Sequence, residues 1–191
     1  MRGTVSNKLQ TGNAMILTLS KRAMLSAMIF QAKNDVRYYL NGICFGPDKK
    51  LYSTDGHRAF VGEHETEGLT GNIIIAIKGP RFIKFDKAQI DTESEIITYQ
   101  DEIGARVGFG LCSVVDGLFP NIEKIIPKEN KPVSEICFNA SYLADIEKAA
   151  RLYNPHFEAI KIKTNGSDGA AICEFSAAFE KGAVIVMPMR I

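Results

Sequence analysis

One recurring pattern constrains this chain more than any other feature. A short apolar strand, a stretch of helical period and then about three further strands follow one another three times, with a period of about 55–60 residues. The first round runs from a strand at Met15–Leu19 through Ser20–Lys33, where Ala23, Met24, Ala27, Met28 and Phe30 share one helical face. Ser20 is placed to cap that helix. Strands at Val36–Phe45, Lys50–Ser53 and Arg58–Glu63 follow, with turn chemistry at Gly46-Pro47-Asp48. The second round starts with an apolar strand at Ile73–Ile77. Lys78-Gly79-Pro80 then predicts the opening of a helix reaching Ala88, and strands are expected at Glu95–Tyr99, Ala105–Phe109 and Leu111–Val115. The third has a strand at Glu135–Phe138, Asn139 as cap, a helix over Ser141–Tyr153 stopped by Asn154-Pro155, and strands at Phe157–Thr164, Ala170–Phe175 and Ala183–Met187. Such an order predicts an α+β fold with helices on one face of antiparallel sheets. Residues 1–14 read as a disordered lead-in, 15–127 as a complete domain of two repeats, 128–132 as a polar linker, and 133–191 as half a domain.

Composition narrows the function classes. Twenty-three basic against 22 acidic residues leave a net charge of +1, so any contact with nucleic acid must come from local patches. The four cysteines, at 44, 112, 137 and 173, are too far apart for a zinc site, and their apolar neighbours predict buried free thiols in a reducing, cytoplasmic setting. No metal, no cofactor and no membrane span is expected.

Catalytic chemistry finds little support. Asp55 and His57 flank Gly56, which predicts a tight turn, with Asp55 bonding local backbone, rather than an acid–base pair. His64 and His156 stand alone and read as surface histidines. Basic residues are more informative. Lys78, Arg81, Lys84 and Lys87 recur every third position along the expected second helix; Lys21, Arg22 and Lys33 lie on or beside the first; Lys148 and Arg151 lie on the third. On one helix this is an ordinary solvated face. On all three it predicts a shared anionic partner held by salt-sensitive, sequence-independent phosphate contacts.

Three stretches carry a family resemblance. Asn34–Gly42 (NDVRYYLNG), Ser53–Arg58 (STDGHR) and Val115–Asn121 (VDGLFPN) resemble the middle domain of the bacterial DNA polymerase III beta subunit, the sliding clamp. The C-terminal Val186–Ile191 (VMPMRI) is similar to that family's terminal segment. The resemblance runs from about Met15 to Ile191 and corresponds to the middle domain joined to the second half of the last one. It implies a non-enzymatic ring around duplex DNA, helices lining the hole, with Asn34 and Arg37 also facing the DNA. It further implies a pocket for short peptides from the polymerase, the clamp loader and other client proteins. The matching positions are Leu40, Thr54, Gly56, His57, Arg58, Pro120, Lys124, Ile125, Ile185, Met187, Pro188, Met189 and Arg190. Ala59 stands where the family has a larger aliphatic residue, and Lys124 replaces a frequent arginine.

The family ring implies twelve repeats alternating in orientation. Four chains of three repeats would complete it only through two-fold contacts, third repeat with third and first with first, giving a dihedral homotetramer. The competing expectation is an incomplete clamp that regulates or decoys a host clamp or its client peptides without encircling DNA by itself.

Overall fold

The computed structural model describes residues 14–177 and 179–190, so the expected lead-in lies outside the described residues apart from Ala14. β1 (Ile16–Ser20) runs directly into α1 (Lys21–Phe30). Ser20 caps the helix, its Oγ accepting the Ala23 N–H at 3.1 Å. The helix buries Ala23, Met24, Leu25, Ala27 and Phe30 and ends at Gln31, which has extended backbone. β2 (Ile43–Phe45), β3 (Lys50–Thr54) and β4 (Arg58–Glu63) complete the first repeat. The second contains β5 (Ile73–Lys78), β6 (Lys87–Asp91), β7 (Ile96–Gln100) and β8 (Arg106–Val115). The third contains α2 (Ala140–Tyr153), capped by the Asn139 side chain, then β9 (Ile160–Lys163), β10 (Ala171–Phe175) and β11 (Ala183–Val186). Among the described residues no helix is long and apolar enough to cross a membrane, and no cluster of His, Cys, Asp and Glu could hold a metal.

Several expectations are corrected. The helix predicted from Lys78 to Ala88 does not form. β6 takes Lys87 and Ala88, because Lys87–Asp91 alternates between half-buried and buried positions and pairs on both edges. The residues left between β5 and β6 begin with Gly79 at φ 82°, outside helical space, and Phe82 and Phe85 both reach Tyr99 at ring distances of 4.8 Å. The strands expected at Ala105–Phe109 and Leu111–Val115 are one strand, β8. Glu135–Phe138 is extended in burial pattern, with Ile136 and Phe138 turned inward, but forms no ladder. Cys137 is exposed there, against the expectation of a buried thiol. Burial raises the Cys44 thiol to about 12 and those of Cys112 and Cys173 to about 11.

All eleven strands join one sheet in the order β1-β6-β7-β8-β5-β2-β3-β4-β11-β10-β9, every pairing between them antiparallel. The first two repeats interlock. β1 of the first pairs with β6 of the second, and β5 of the second pairs with β2 of the first. β8 turns a corner at Leu111, which pairs with Ile96 of β7 on one side and Lys78 of β5 on the other. The last strand of the first repeat, β4, pairs with the last strand of the third, β11. Space therefore orders the repeats second, first, third. This removes the expected first-with-first contact between chains, since β4 is already paired within its own chain. β1 and β9 end this order; Glu65 and Thr66 bond Thr18 on the outer side of β1, so among the described residues the open edges are Arg106–Gly110 of β8 and the third repeat.

His64, expected at the surface, is 4% exposed. Its Nε2 donates to the Gly46 carbonyl at 2.8 Å and its Nδ1 accepts the Thr66 N–H at 3.2 Å, which requires a neutral ring. Thr66 in turn binds the Thr18 N–H of β1 through Oγ1 at 2.9 Å. Burial lowers the His64 pKa below 6.5. The stability tied to the neutral ring is therefore complete above 6.5 and is lost as pH falls through the lower folded value. Urea titrations should show a midpoint falling with pH in that window, and His64→Ala should flatten that component while costing about 1–3 kcal/mol at neutral pH.

Candidate functional site

The seam between β4 and β11 presents a different surface on each face, and strand alternation decides which residue serves which. Ala59 lies opposite Ile185, Phe60 opposite Val184 and Arg58 opposite Val186. Phe60, Val184 and Val186 belong to the core cluster under α1 and α2; Ala59 and Ile185 belong to a second cluster on the opposite face.

On that opposite face the floor is apolar. Leu40, Ala59 and Ile185 are each at most 1% exposed and pack with Phe119 and Ile122. Leu40 comes from a 3₁₀ turn at Tyr38–Asn41 and Ile122 from another at Ile122–Ile125, the latter capped by the Asn121 side chain. Met187, whose N–H continues the β4–β11 pairing, follows Ile185 on this face by alternation, and Met187, Met189 and Ile125 are 40–50% exposed. The chain beyond β11 is tied down by two backbone bonds, Met187 N–H to the His57 carbonyl at 3.1 Å and Met189 N–H to the Cys137 carbonyl at 2.7 Å. Pro188 between them is half-buried, and Pro120 and Lys124 are exposed beside the second turn. Arg190 is largely exposed, 3.5 Å from Asp168. This face combines a buried apolar floor with half-exposed thioether and aliphatic side chains, a surface suited to apolar side chains of a short peptide.

The 54–58 turn adjoins this face. Thr54 Oγ1 donates to the Arg58 carbonyl at 2.7 Å and accepts the Gly56 N–H at 3.0 Å. Gly56 has φ 95°, a conformation that favours glycine, and the Arg37 guanidinium lies 3.2 Å from where a Cβ would sit. Asp55 accepts the backbone N–H groups of His57 and Arg58 and the Arg58 Nε. Its carboxylate is thus committed to the turn and leaves His57 without an acid partner.

Arg58 does not share this apolar face. Its side chain is on the helix face, over the rings of Phe30 at 5.2 Å and Tyr142 at 4.6 Å, and bonds Asp55 and Asp145 at 2.9 and 2.8 Å. Burial pulls the Asp145 carboxyl upward, but hydrogen bonds from Lys148 and Arg58 outweigh it and hold the group below its ordinary value. A cavity of about 480 Å³ opens here between the end of α1, the 54–58 turn and α2. Lys33, Arg81 and Lys148 converge on it. Sequence reasoning missed Tyr142 and Asp145, although their i, i+3 spacing places both on one side of α2.

The remaining basic positions divide by partner. Arg37 pairs with Asp35, Lys87 with Glu65, Lys148 with Asp145, and Arg151 with Glu147 and Glu158. The bonds from Arg37 lower the Asp35 carboxyl to about 2. Lys21, Arg22, Lys33, Lys78, Arg81 and Lys84 have no acidic group within 4 Å among the described residues. Asn34, in left-handed backbone at φ 57°, is exposed beside Lys33. With the second helix absent, Lys78, Arg81, Lys84 and Lys87 do not form a helical row.

No protein-family model matches the chain. Among curated proteins it is 31% identical over 159 residues to the beta sliding clamp of Proteus mirabilis, covering 76% of this chain and 42% of that protein. It is 28% identical over 150 residues to the beta sliding clamp of Escherichia coli K12, covering 74% and 40%. The chain thus spans about two fifths of the length of the curated relatives it matches. Among solved structures, the DNA polymerase III subunit beta of Pseudomonas aeruginosa superposes with a TM-score of 0.64 at 18% identity, covering 100% of this chain and 69% of that one. The corresponding subunit of Borrelia burgdorferi, in complex with a natural product, gives 0.64 at 17% identity, covering 100% and 67%.

Proposed function

We propose, from the premise that this chain has the sliding-clamp fold and is similar to a shortened beta sliding clamp, that it is a non-enzymatic processivity clamp. It encircles duplex DNA in the cytoplasm and tethers a polymerase and other client proteins through the apolar face at the β4–β11 seam. The observation that carries this reading is that seam. It continues one sheet across two repeats, with both helices and the basic residues Lys33, Arg81 and Lys148 on one face and an apolar floor on the other. Loose phosphate contacts suit a protein that holds DNA by enclosure, because tight ones would oppose sliding.

Closure of the ring follows from the two open ends. Chains meet two-fold at the third repeats and two-fold at the free β8 edges, which makes a dihedral tetramer. Val107, Phe109 and Leu111 are 41–66% exposed along that β8 edge, an apolar row that supports a contact there. Phe109→Asp should halve the particle mass measured by light scattering, from tetramer to dimer. An unchanged mass rules out the β8 contact.

One observation favours a second reading, an incomplete clamp that regulates a host clamp or captures its client peptides. The 79–86 stretch has no helix, so one repeat contributes none to the inner wall. Retention on closed circular DNA, lost on linearisation, separates the two: retention supports the ring, and its absence together with peptide capture supports the decoy.

A further inference from the structure

We propose that the third repeat is completed by the third repeat of a second copy of this chain, each copy lending its Glu135–Phe138 segment as a strand to the other's β9. The first two repeats supply the template. There the first strand of one repeat pairs with the second strand of the other, β1 with β6 and β5 with β2. The third repeat has both halves of that arrangement and a partner for neither. β9 is an edge strand, and 135–138 forms no ladder among the described residues.

The local geometry already matches the template. In the first repeat, the residue two before the helix cap, Thr18, accepts a backbone bond at its carbonyl from Glu65, just beyond the repeat's own last strand. In the third repeat, the residue two before the cap, Cys137, accepts one from Met189, just beyond β11. One edge of the segment is therefore held by its own chain. Strand alternation turns the N–H and C=O of Ile136 and Phe138 to the other edge, where they have no partner among the described residues. On β9, Ala159 bonds toward β10, so the backbone groups of Ile160 and Ile162 point away from β10, to the open edge.

Register follows from side chains. In the template, Leu19 faces Ala88 and Leu17 faces Ile90, all buried. The equivalent pairing sets Phe138 opposite Ile160 and Ile136 opposite Ile162, which is 45% exposed without a partner. It also sets Glu135 opposite Lys163, unlike charges. Beyond Lys163 the edge is closed by the chain's own Lys131, bonded to Thr164 and Gly166, so the ladder has the same four-residue length as the β4–β11 seam. A two-fold axis makes the exchange reciprocal. It deepens the ring reading but does not need DNA.

The register puts Cys137 opposite Lys161 of the other copy as a non-hydrogen-bonded pair, both side chains exposed in the isolated chain, at a separation a disulfide spans. Lys161→Cys should therefore give a covalent dimer on non-reducing gels under mild oxidation, and Lys161→Cys with Cys137→Ser should not. Ile136→Pro removes an N–H that bonds nothing in the isolated chain and should abolish the cross-link in the Lys161→Cys background. Wild-type protein that is monomeric by light scattering at micromolar concentration, or Lys161→Cys that oxidises without dimer, overturns the exchange. A cross-linked dimer that never stays on circular DNA leaves the exchange standing and removes the ring. A protein that stays on circular DNA without the cross-link does the reverse.

Discussion

Replacing Phe60 by alanine is expected to cost about 3–5 kcal/mol and to lower the melting temperature by about 6–20 °C. Phe60 is fully buried and sits where four elements meet. Its ring stacks on Phe30 of α1 at 6.1 Å, approaches Tyr153 of α2 at 6.4 Å, and lies opposite Val184 of β11. It also fills the space over Gly62, where an added Cβ would come within 2.7 Å of the ring. No neighbour is small and mobile enough to refill that volume, so most of the cavity persists. Circular dichroism during heating measures the loss, and a decrease of less than about 2 °C would mean that the seam is not the keystone of the core.

The second large effect is functional. Met187→Asp combined with Met189→Asp should weaken binding of a polymerase-derived clamp-binding peptide at least about a hundredfold, equivalent to about 3 kcal/mol. An apolar peptide side chain would have to desolvate two carboxylates over a floor made of Leu40, Ala59 and Ile185. Folding should be little affected, because both methionines are 40–50% exposed and their structural bonds are made by backbone. Fluorescence anisotropy of the labelled peptide reads the effect, and retention on circular DNA should be unchanged. Equal affinity for the double variant would remove this face from the peptide site.

Much of this was legible in the residues, for identifiable reasons. Caps at Ser20 and Asn139 marked the starts of both helices within a residue, since a side-chain acceptor before an apolar periodic run has few other uses, whereas the first helix ends at Phe30, three residues before the expected Lys33. The 79–86 stretch misled because Lys78, Arg81, Lys84 and Lys87 recur at a spacing a helix shares with no structure at all. The polar–apolar alternation of Lys87-Ala88-Gln89-Ile90-Asp91 was the better guide, and it identifies β6. At the candidate site, the motif around Ser53–Arg58 located the turn but not the direction of each side chain. Arg58 and Ala59 are neighbours on a strand and must face opposite ways, so a motif that groups them mixes two surfaces. Partnership across long stretches of chain, such as Arg58 with Asp145, has no local signal and emerged only from the fold.

The interlocking of the first two repeats also sets a timetable for synthesis. Ile16 at the start of β1 has no ladder partner until Asp91 has left the ribosome. At about 5–20 residues per second, that interval is about 4–15 s. The apolar side of α1 and one edge of β1 are open until β3, β4 and the 65–66 segment emerge, and the β1 edge that takes β6 stays open to other nascent chains throughout. The first repeat is therefore the stretch that a holding chaperone would most need to shield, and a slow codon run before Asp91 would lengthen the exposure.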